Sequence, residues 1–272
     1  MRWCVLSKSP GLLLAAYAAV LGVAVAQAGE NAEAAPAVTP YRPSVSTPAQ
    51  LSAPGWLEGE FGLLRTRSDG ADRDSVPFAL KYAFTPDWGI RLGGEAWVHD
   101  AQSPGRSGYD IGDTALIIKR RFVLGAGGAW GALRNAAFGV EGGAILPTGR
   151  EGIGKAAYAI NSIFSADAGT WHSDTNVFGT RQALGEPGLG QWQWGWASSL
   201  SYAVSERFSL GGELSGTRQR GAPDSAQWLA AGSYLLPSGS VVDLGVARAL
   251  KHSGATTQVF CGITMRLAHL RS

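Results

Sequence analysis

Charged residues occur singly along segments of this sequence in which apolar residues recur at every second position. Alternate residues of a strand point to opposite faces, so each charge marks the face opposite an apolar row. If the apolar rows meet lipid, the charged rows face an enclosed interior, and both signs must be paired or hydrated there. We predict that this interior is lined by Glu58, Glu60, Lys81, Arg91, Glu95, Asp113, Lys119, Arg121, Glu141, Asp174, Glu213, Asp243 and Arg266.

The histidines offer little support for catalysis. His172 and Ser173 are adjacent, so on a strand they point to opposite faces and cannot act together. Three hydroxyl residues share the inward face of another predicted strand, where one of them could approach His99 or His172: Ser209, Ser215 and Thr217. Because nothing in the sequence selects such a nucleophile and base, we predict that the protein is not an enzyme.

Metals, cofactors and nucleic acid are not expected as ligands. The two cysteines, Cys4 and Cys261, have no metal-site spacing, and the glycine-rich piece 125–131 is not followed by a helix with a lysine. A formal net charge of +2 without a basic cluster gives no surface for tracking phosphates. The sequence therefore predicts no metal, no cofactor and no nucleic-acid partner.

The first 54 residues divide into two segments that precede the alternating pattern. Residues 1–28 carry basic residues, then an apolar run too short to span a bilayer, then small residues, and we interpret them as a cleaved signal peptide. Residues 29–54 are rich in Pro and Ala, which favours an extended periplasmic leader. The alternative is a small plug in the mouth of the domain that follows.

The pattern of period two continues from residue 55 to about residue 268. It contains about twelve segments, each with roughly the 9 to 11 residues that a tilted strand needs to cross a bilayer. No apolar run in this part of the sequence is long enough for a spanning helix, so membrane insertion must use strands. We predict an all-β fold, an antiparallel transmembrane β-barrel of about twelve strands, with ten or fourteen as alternatives.

The connections and the aromatic residues indicate a bacterial outer membrane. Short turns alternate with longer polar loops, as they do in barrels with periplasmic turns and external loops. Aromatic residues flank the short turns, where the periplasmic girdle of such a barrel lies. The three tryptophans of the run 192–196 follow a long loop and are expected in the outer girdle.

Several stretches resemble a known outer-membrane family, named after the meta-cleavage pathway of phenol degradation. The most specific are GDTALIIKRRF and ILPTG, and the resemblance extends from about Thr39 to Leu250. It implies an outer-membrane barrel of the transporter-like kind, linked with uptake of aromatic or other apolar compounds. The chain departs from the usual pattern at its end, where AHLRS follows Leu267 instead of a terminal aromatic residue.

These observations predict a channel or transporter-like barrel for small molecules in the outer membrane. The expected partners are outer-membrane lipid, a small-molecule solute and the barrel-assembly machinery. The main alternative is a structural or adhesive barrel with a filled lumen, and a lipid hydrolase is a weaker third candidate.

Overall fold

A computed structural model describes residues 36–69, 71–102, 106–125, 133–149, 156–181, 189–251 and 256–270. The predicted signal peptide and the first residues of the leader, up to 35, lie outside these ranges, as does most of the connection 125–135. The strands, numbered β1 to β13, are Trp56–Ser68, Ala71–Ala83, Trp88–Gln102, Arg106–Asp110, Thr114–Val123, Arg134–Leu146, Ala157–Ala168, Trp171–Arg181, Trp192–Ala203, Phe208–Gln219, Ser225–Leu235, Val241–Lys251 and Thr257–His269.

The strands form a closed antiparallel β-barrel. Consecutive strands pair, except that β5 pairs with β3 and not with β4, and β1 pairs with β13, so the described strands close into a ring in which only β4 has an unpaired side. The short β4 and the following β5 both pair with β3, one after the other, and together occupy a single position in the wall. The barrel therefore has twelve strand positions, and the predicted fold class and strand count are confirmed.

The distribution of polar and apolar side chains is inverted relative to a soluble protein. Buried residues include Glu58, Lys81 and Glu213, whereas large apolar residues on the outer surface are exposed, and Val177 and Leu244 are more than half exposed. Soluble proteins rarely expose such a continuous apolar surface or bury so many charges. The outer face is thus built for lipid and the inner face for polar contacts, as in outer-membrane barrels.

The short turns lie at one end of the barrel and carry exposed aromatic rings. The tightest joins β7 to β8 through Gly169, whose φ of 63° suits glycine. Exposed rings at this end belong to Phe84, Trp88, Phe122, Trp171, Tyr202 and Phe208. The rings of the predicted outer girdle, Trp192, Trp194 and Trp196, are also exposed and lie at the opposite end. No helix among the described residues is long and apolar enough to cross a bilayer.

One strand differs from the predicted faces because of a β-bulge. Unbroken alternation over residues 88–99 predicts Val98 on the lipid face, with Trp97 and His99 on the inner face. The register between β2 and β3 shifts next to Pro77, so Val98 lies opposite the buried Ser75 and is itself buried. Trp97 and His99 instead point outward, since an extra residue in one strand reverses the faces beyond it.

The described part of the leader, residues 36–54, lies inside the barrel. We call residues 36–55 the lumenal segment. The segment enters beside Arg266 at the short-turn end, reaches the strand midpoints near Glu213, and returns to that end, where Gly55 N donates to Ala83 O. The sequence predicts an extended periplasmic leader here, with a small plug in the mouth of the barrel as the alternative, and the structure places residues 36–54 in the lumen as deep as the strand midpoints.

Candidate functional site

The contact between the lumenal segment and the wall begins with two carboxylates on β1. Glu58 and Glu60 are two residues apart, so both point inward from the same face. Glu58 accepts a hydrogen bond from Thr39 N at 3.1 Å, and Glu60 accepts one from Tyr41 N at 2.6 Å. Residues 39 to 41 therefore run beside β1, and its carboxylates bind alternate backbone N–H groups of the segment.

Lys81 on β2 neutralises this pair of carboxylates. Its Nζ lies 3.1 Å from Glu58 Oε2 and 2.6 Å from Glu60 Oε1, and it also donates to the carbonyl oxygen of Thr39. All three charged side chains are almost fully buried. A buried charge is tolerated only when paired and hydrogen-bonded, so the wall and the segment each complete the other's polar contacts here.

Tyr41 is the side chain of the segment most enclosed by cations. Its ring lies between Lys81 Nζ at 4.4 Å and Lys119 Nζ at 4.2 Å from the centroid, an arrangement that favours cation–π attraction. The hydroxyl donates to Gln50 O and accepts from Lys119 Nζ. Burial, and after it the negative charge of Glu141, raise the pKa of the Tyr41 hydroxyl well above 10.0. The Tyr41 hydroxyl is therefore protonated and uncharged at pH 10 and below.

Arg42 extends the contact to the far side of β1. Its guanidinium lies 3.3 Å from Asp243 Oδ1 on β12 and donates to the carbonyl oxygen of Cys261. A Cβ atom added at Gly62 or Gly262 would collide with this guanidinium. Glycine at these two wall positions therefore makes the space in which Arg42 pairs with Asp243.

The tip of the segment is bound by one carboxylate on the opposite wall. Glu213 on β10 accepts hydrogen bonds from Val45 N at 3.2 Å, from Ser46 N at 2.8 Å and from Ser46 Oγ at 2.8 Å. Hydrogen bonds to a charged acceptor are stronger than neutral ones. Glu213 thus holds the turn of the segment near the middle of the lumen.

The part of the segment that returns towards the short-turn end begins at residue 47 and packs against β5 to β8. Asn161 Nδ2 lies 3.4 Å from Thr47 Oγ1, the side-chain amide of Asn176 accepts from Thr47 Oγ1 at 3.2 Å, and Lys119 donates to the carbonyl oxygen of Pro48. Ala49 forms a small apolar cluster with Ala137 and Ile163. Ala49 lies so close to the wall that a Cβ atom added at Gly139 would be only 3.4 Å from the Ala49 Cβ. Glycine at position 139 therefore allows this close approach.

Below Ala49, a chain of hydrogen bonds leads towards the short-turn end. Ala49 N donates to Ser165 Oγ at 2.7 Å, and Ser165 Oγ donates to Asp174 Oδ1 at 2.5 Å. His172 bonds to Asp174 through Nε2 and to Asp167 through Nδ1. A serine nucleophile would need the histidine as its direct partner, whereas here the carboxylate lies between them. This group is thus arranged to hold the segment and not to activate Ser165.

The remaining predicted lumen residues lie around this contact or at the barrel ends. Arg91 pairs with Glu141 at 3.8 Å, and Glu141 also lies 3.4 Å from Lys119. Glu95 pairs with Arg73 at 2.7 Å on the loop side. The others are peripheral: Asp113 is exposed and accepts from Gly149 N, Arg121 is half-buried beside a short turn, and Arg266 donates to the carbonyl oxygens of Pro36 and Ser238.

Sequence reasoning missed the residues of the segment that complete the site. Tyr41 and Arg42 stand out as large side chains in a run otherwise made of Ala, Pro, Ser and Thr, and this contrast was the available signal. It also missed an inward apolar cluster of Leu229, Ala247 and Phe260, although the pattern had placed Phe260 on the polar side of its strand. Neutral lining residues are missed because charge alone was used to recognise the inner face.

Two cavities adjoin the segment on opposite sides of residues 42–48. The first, of about 470 Å³, lies against β8 to β12 and reaches Arg207 in a short turn. Its wall carries small inward residues: Ser199, Ser201, Ala203, Ser209, Ala231 and Ser233. The second, of about 370 Å³, lies on the loop side and is lined by Arg91, Ile117, Ala159 and Thr180. Arg42 and Ser44 line both cavities, so the tip of the segment separates them.

Three solved structures of similar fold are described as an outer-membrane channel or a porin. The chain resembles the COG4313 outer membrane channel from Pseudomonas putida F1 with a TM-score of 0.63 and 13% identity, covering 80% of this chain and 98% of that one. It resembles the NanC porin with a TM-score of 0.54 and 9% identity, covering 78% and 100% of the two chains. For the KdgM porin in complex with disordered oligogalacturonate the TM-score is 0.51 and the identity 10%, with 77% and 99% covered.

No protein-family model matches the sequence, and no curated protein matches it significantly. At these identities the structural likeness concerns the fold alone. Together with the lipid-facing surface described above, it shows that the chain is an outer-membrane β-barrel with the fold of channels and porins.

Proposed function

We propose that this protein is an outer-membrane channel for small molecules in which the lumenal segment controls passage. The observation that carries the proposal is the pair of cavities, one on each side of residues 42–48. A barrel built only for rigidity would be expected to fill both spaces with wall side chains. Displacement of the segment tip would join the cavities into one path.

The size of both cavities supports small solutes, and the hydroxyl-bearing wall of the larger cavity, between its charged residues Asp174 and Arg207, supports solutes with little charge. Volumes of about 470 and 370 Å³ lie in the usual range of small-molecule sites. On the larger cavity, hydroxyl groups of Ser201, Ser209 and Ser233 alternate with alanine and glycine, and the segment contributes Val38 and Pro43. Such a surface suits uncharged molecules that combine an apolar body with a hydroxyl group. Aromatic or apolar compounds of the phenol-degradation type, which the sequence resemblance implies, belong to this class.

The alternative is a structural barrel with a permanently filled lumen. It is favoured by one observation, the buried hydrogen bonds that join the backbone of the segment to Lys81, Glu58 and Glu60. If those contacts never break, the segment acts as a core and the cavities remain separate. In neither case does the chain carry out covalent chemistry.

A reversible disulfide between the lumenal segment and the barrel wall distinguishes the two functions. In a Cys261→Ser background, Ala49→Cys and Gly139→Cys would place two Cβ atoms about 3.4 Å apart, close to the distance in a disulfide. Conductance of the purified protein is measured in planar bilayers before and after reduction. We expect the oxidised form to be closed and the reduced form to pass small ions and solutes.

The controls separate locking from misfolding. Ala49→Cys alone should conduct equally with and without reductant. Heat-modifiable mobility in detergent gels should show a folded barrel for every variant. Equal conductance of the oxidised and reduced double variants would contradict control by the segment, and no conductance of the wild type and the reduced form would favour the structural barrel.

A further inference from the structure

The lipid-facing surface carries arginines on every second strand along one half of the barrel. Arg181 on β8, Arg218 on β10, Arg248 on β12 and Arg67 on β1 are all exposed. Each lies within four residues of the loop end of its strand. Adjacent strands are about 4.8 Å apart, so arginines on every second strand are about 10 Å apart measured across the strands, and the register adds an offset along the strands between Arg218 and Arg248.

Aromatic side chains fill most positions between these arginines. In the strand register, Arg181 lies opposite Trp192, Arg218 lies opposite Trp194, and Arg248 lies opposite Trp228. Trp192 and Trp194 stack with their ring centroids 5.2 Å apart. Tryptophan prefers the boundary between hydrocarbon and headgroups, so this row of arginines lies at the headgroup level of the outer leaflet.

The positive charge of this row is only partly neutralised by the protein. Arg218, whose side chain is 83% exposed, has Asp224 at 3.7 Å. For Arg67, Arg181 and Arg248, no described carboxylate lies within the 4.0 Å of an ion pair. A guanidinium beside an exposed indole at a membrane boundary is suited to bind a phosphate oxygen, because its planar N–H groups match that geometry.

The described side chains at the loop ends of β2, β6 and β7 lack this pattern. At the loop ends of β2, β6 and β7, the outward side chains are acidic, apolar or aromatic, including Asp72, Leu146 and Tyr158. Asp72 is already paired with Arg65 of β1 at 3.5 Å. At the loop end, the described surface is therefore asymmetric, with its unpaired cations concentrated between β8 and β1.

We propose that this row binds the phosphorylated glycolipid of the outer leaflet, with its phosphates on the arginines and its acyl chains on the apolar wall below. Charge complementarity and the adjacent aromatic girdle favour this occupant over a soluble anion, which would gain nothing from the exposed leucines and valines beneath. This interaction is separate from passage through the lumen and does not depend on it.

The proposal is tested with bisphosphorylated lipid A, using native mass spectrometry of the purified barrel and the melting temperature in phosphatidylcholine vesicles. The triple variant Arg181→Gln, Arg218→Gln, Arg248→Gln should bind lipid A at least tenfold more weakly and lose most of the rise in melting temperature. Dephosphorylated lipid A should bind the wild type as weakly as bisphosphorylated lipid A binds the variant.

The matched control is Arg120→Gln, because Arg120 is also exposed on the lipid face but lies at the short-turn end beside Trp88 and Phe122. It should retain full binding. A triple Arg→Lys variant serves if the glutamine variant fails to fold, and it should retain intermediate binding. Equal binding by all variants, or displacement of lipid A by inorganic phosphate at millimolar concentration, would overturn the proposal.

Discussion

Two parts of the inner wall treat the lumenal segment differently. The wall of β1, β2 and β5 presents buried charges that contact the segment directly through Glu60, Lys81 and Lys119. The wall of β9 to β11 presents small hydroxyl residues and leaves a cavity of about 470 Å³ beside the segment. Only Glu213 on that side binds the backbone of the segment.

The difference shows how one barrel can hold a segment firmly and still leave room beside it. Charged side chains are long and must find partners when buried, so the charged wall fixes the position of residues 39 to 41. Serine and alanine are short and need few partners, so the opposite wall stays clear of the segment. Any opening motion should therefore begin at the tip and leave the entry of the segment in place.

Lys81→Met should have the largest effect on stability. It leaves Glu58 and Glu60 buried without their cation, and removal of one member of a buried ion pair costs about 3 to 5 kcal/mol of unfolding free energy. Urea unfolding of the barrel refolded in vesicles measures the change. Arg120→Met, which removes an exposed cation instead, should change little, and a similar loss in both would mean that the charged wall has no special role.

Tyr41→Ala should have the second-largest effect on stability. The substitution removes a buried ring and its contacts with two ammonium groups, and we expect a loss of about 3 kcal/mol and a larger open probability in bilayers. Tyr41→Phe keeps the ring, loses only the hydroxyl contacts and should cost about 1 kcal/mol. If the two variants behave alike, the ring does not anchor the segment.

Glu213→Gln should weaken the attachment of the segment tip to the wall more than it lowers the stability of the barrel. The neutral amide still accepts from Ser46 but loses the charge assistance, which corresponds to about 1 to 2 kcal/mol. Single-channel recordings should show more frequent openings than in the wild type. Asp87→Asn, in an exposed short turn that lines neither cavity, is the control and should leave the recordings unchanged.

Ser201→Leu should change permeation with the smallest change in stability. The side chain points into the larger cavity, so added carbon atoms cost within about 1 kcal/mol while narrowing the path. In the reduced double-cysteine protein it should lower conductance, whereas Ser201→Ala should not. Unchanged conductance would mean that the path of the solute does not run along the wall of β9 to β11.

The barrel itself followed from local patterns in the sequence. Strand periodicity, turn spacing and the aromatic flanks depend on neighbouring residues, and they gave the twelve strand positions and their faces except beyond the bulge near Pro77. A bulge is hard to read from the sequence because one extra residue leaves the alternation intact on each side. The charged inner residues were recognisable for the same local reason, since each sits opposite an apolar row.

The sequence alone determined that a barrel forms and which side of most strands faces lipid, because a period of two fixes the faces wherever one of them is apolar. Only the tertiary structure decided where the leader goes. Thr39 and Tyr41 reach Glu58 and Glu60 nearby in the chain, but Arg42 meets Asp243 and Ser46 meets Glu213 across more than 160 residues. A segment without a periodic pattern finds its place only when closure of the barrel brings those distant carboxylates together.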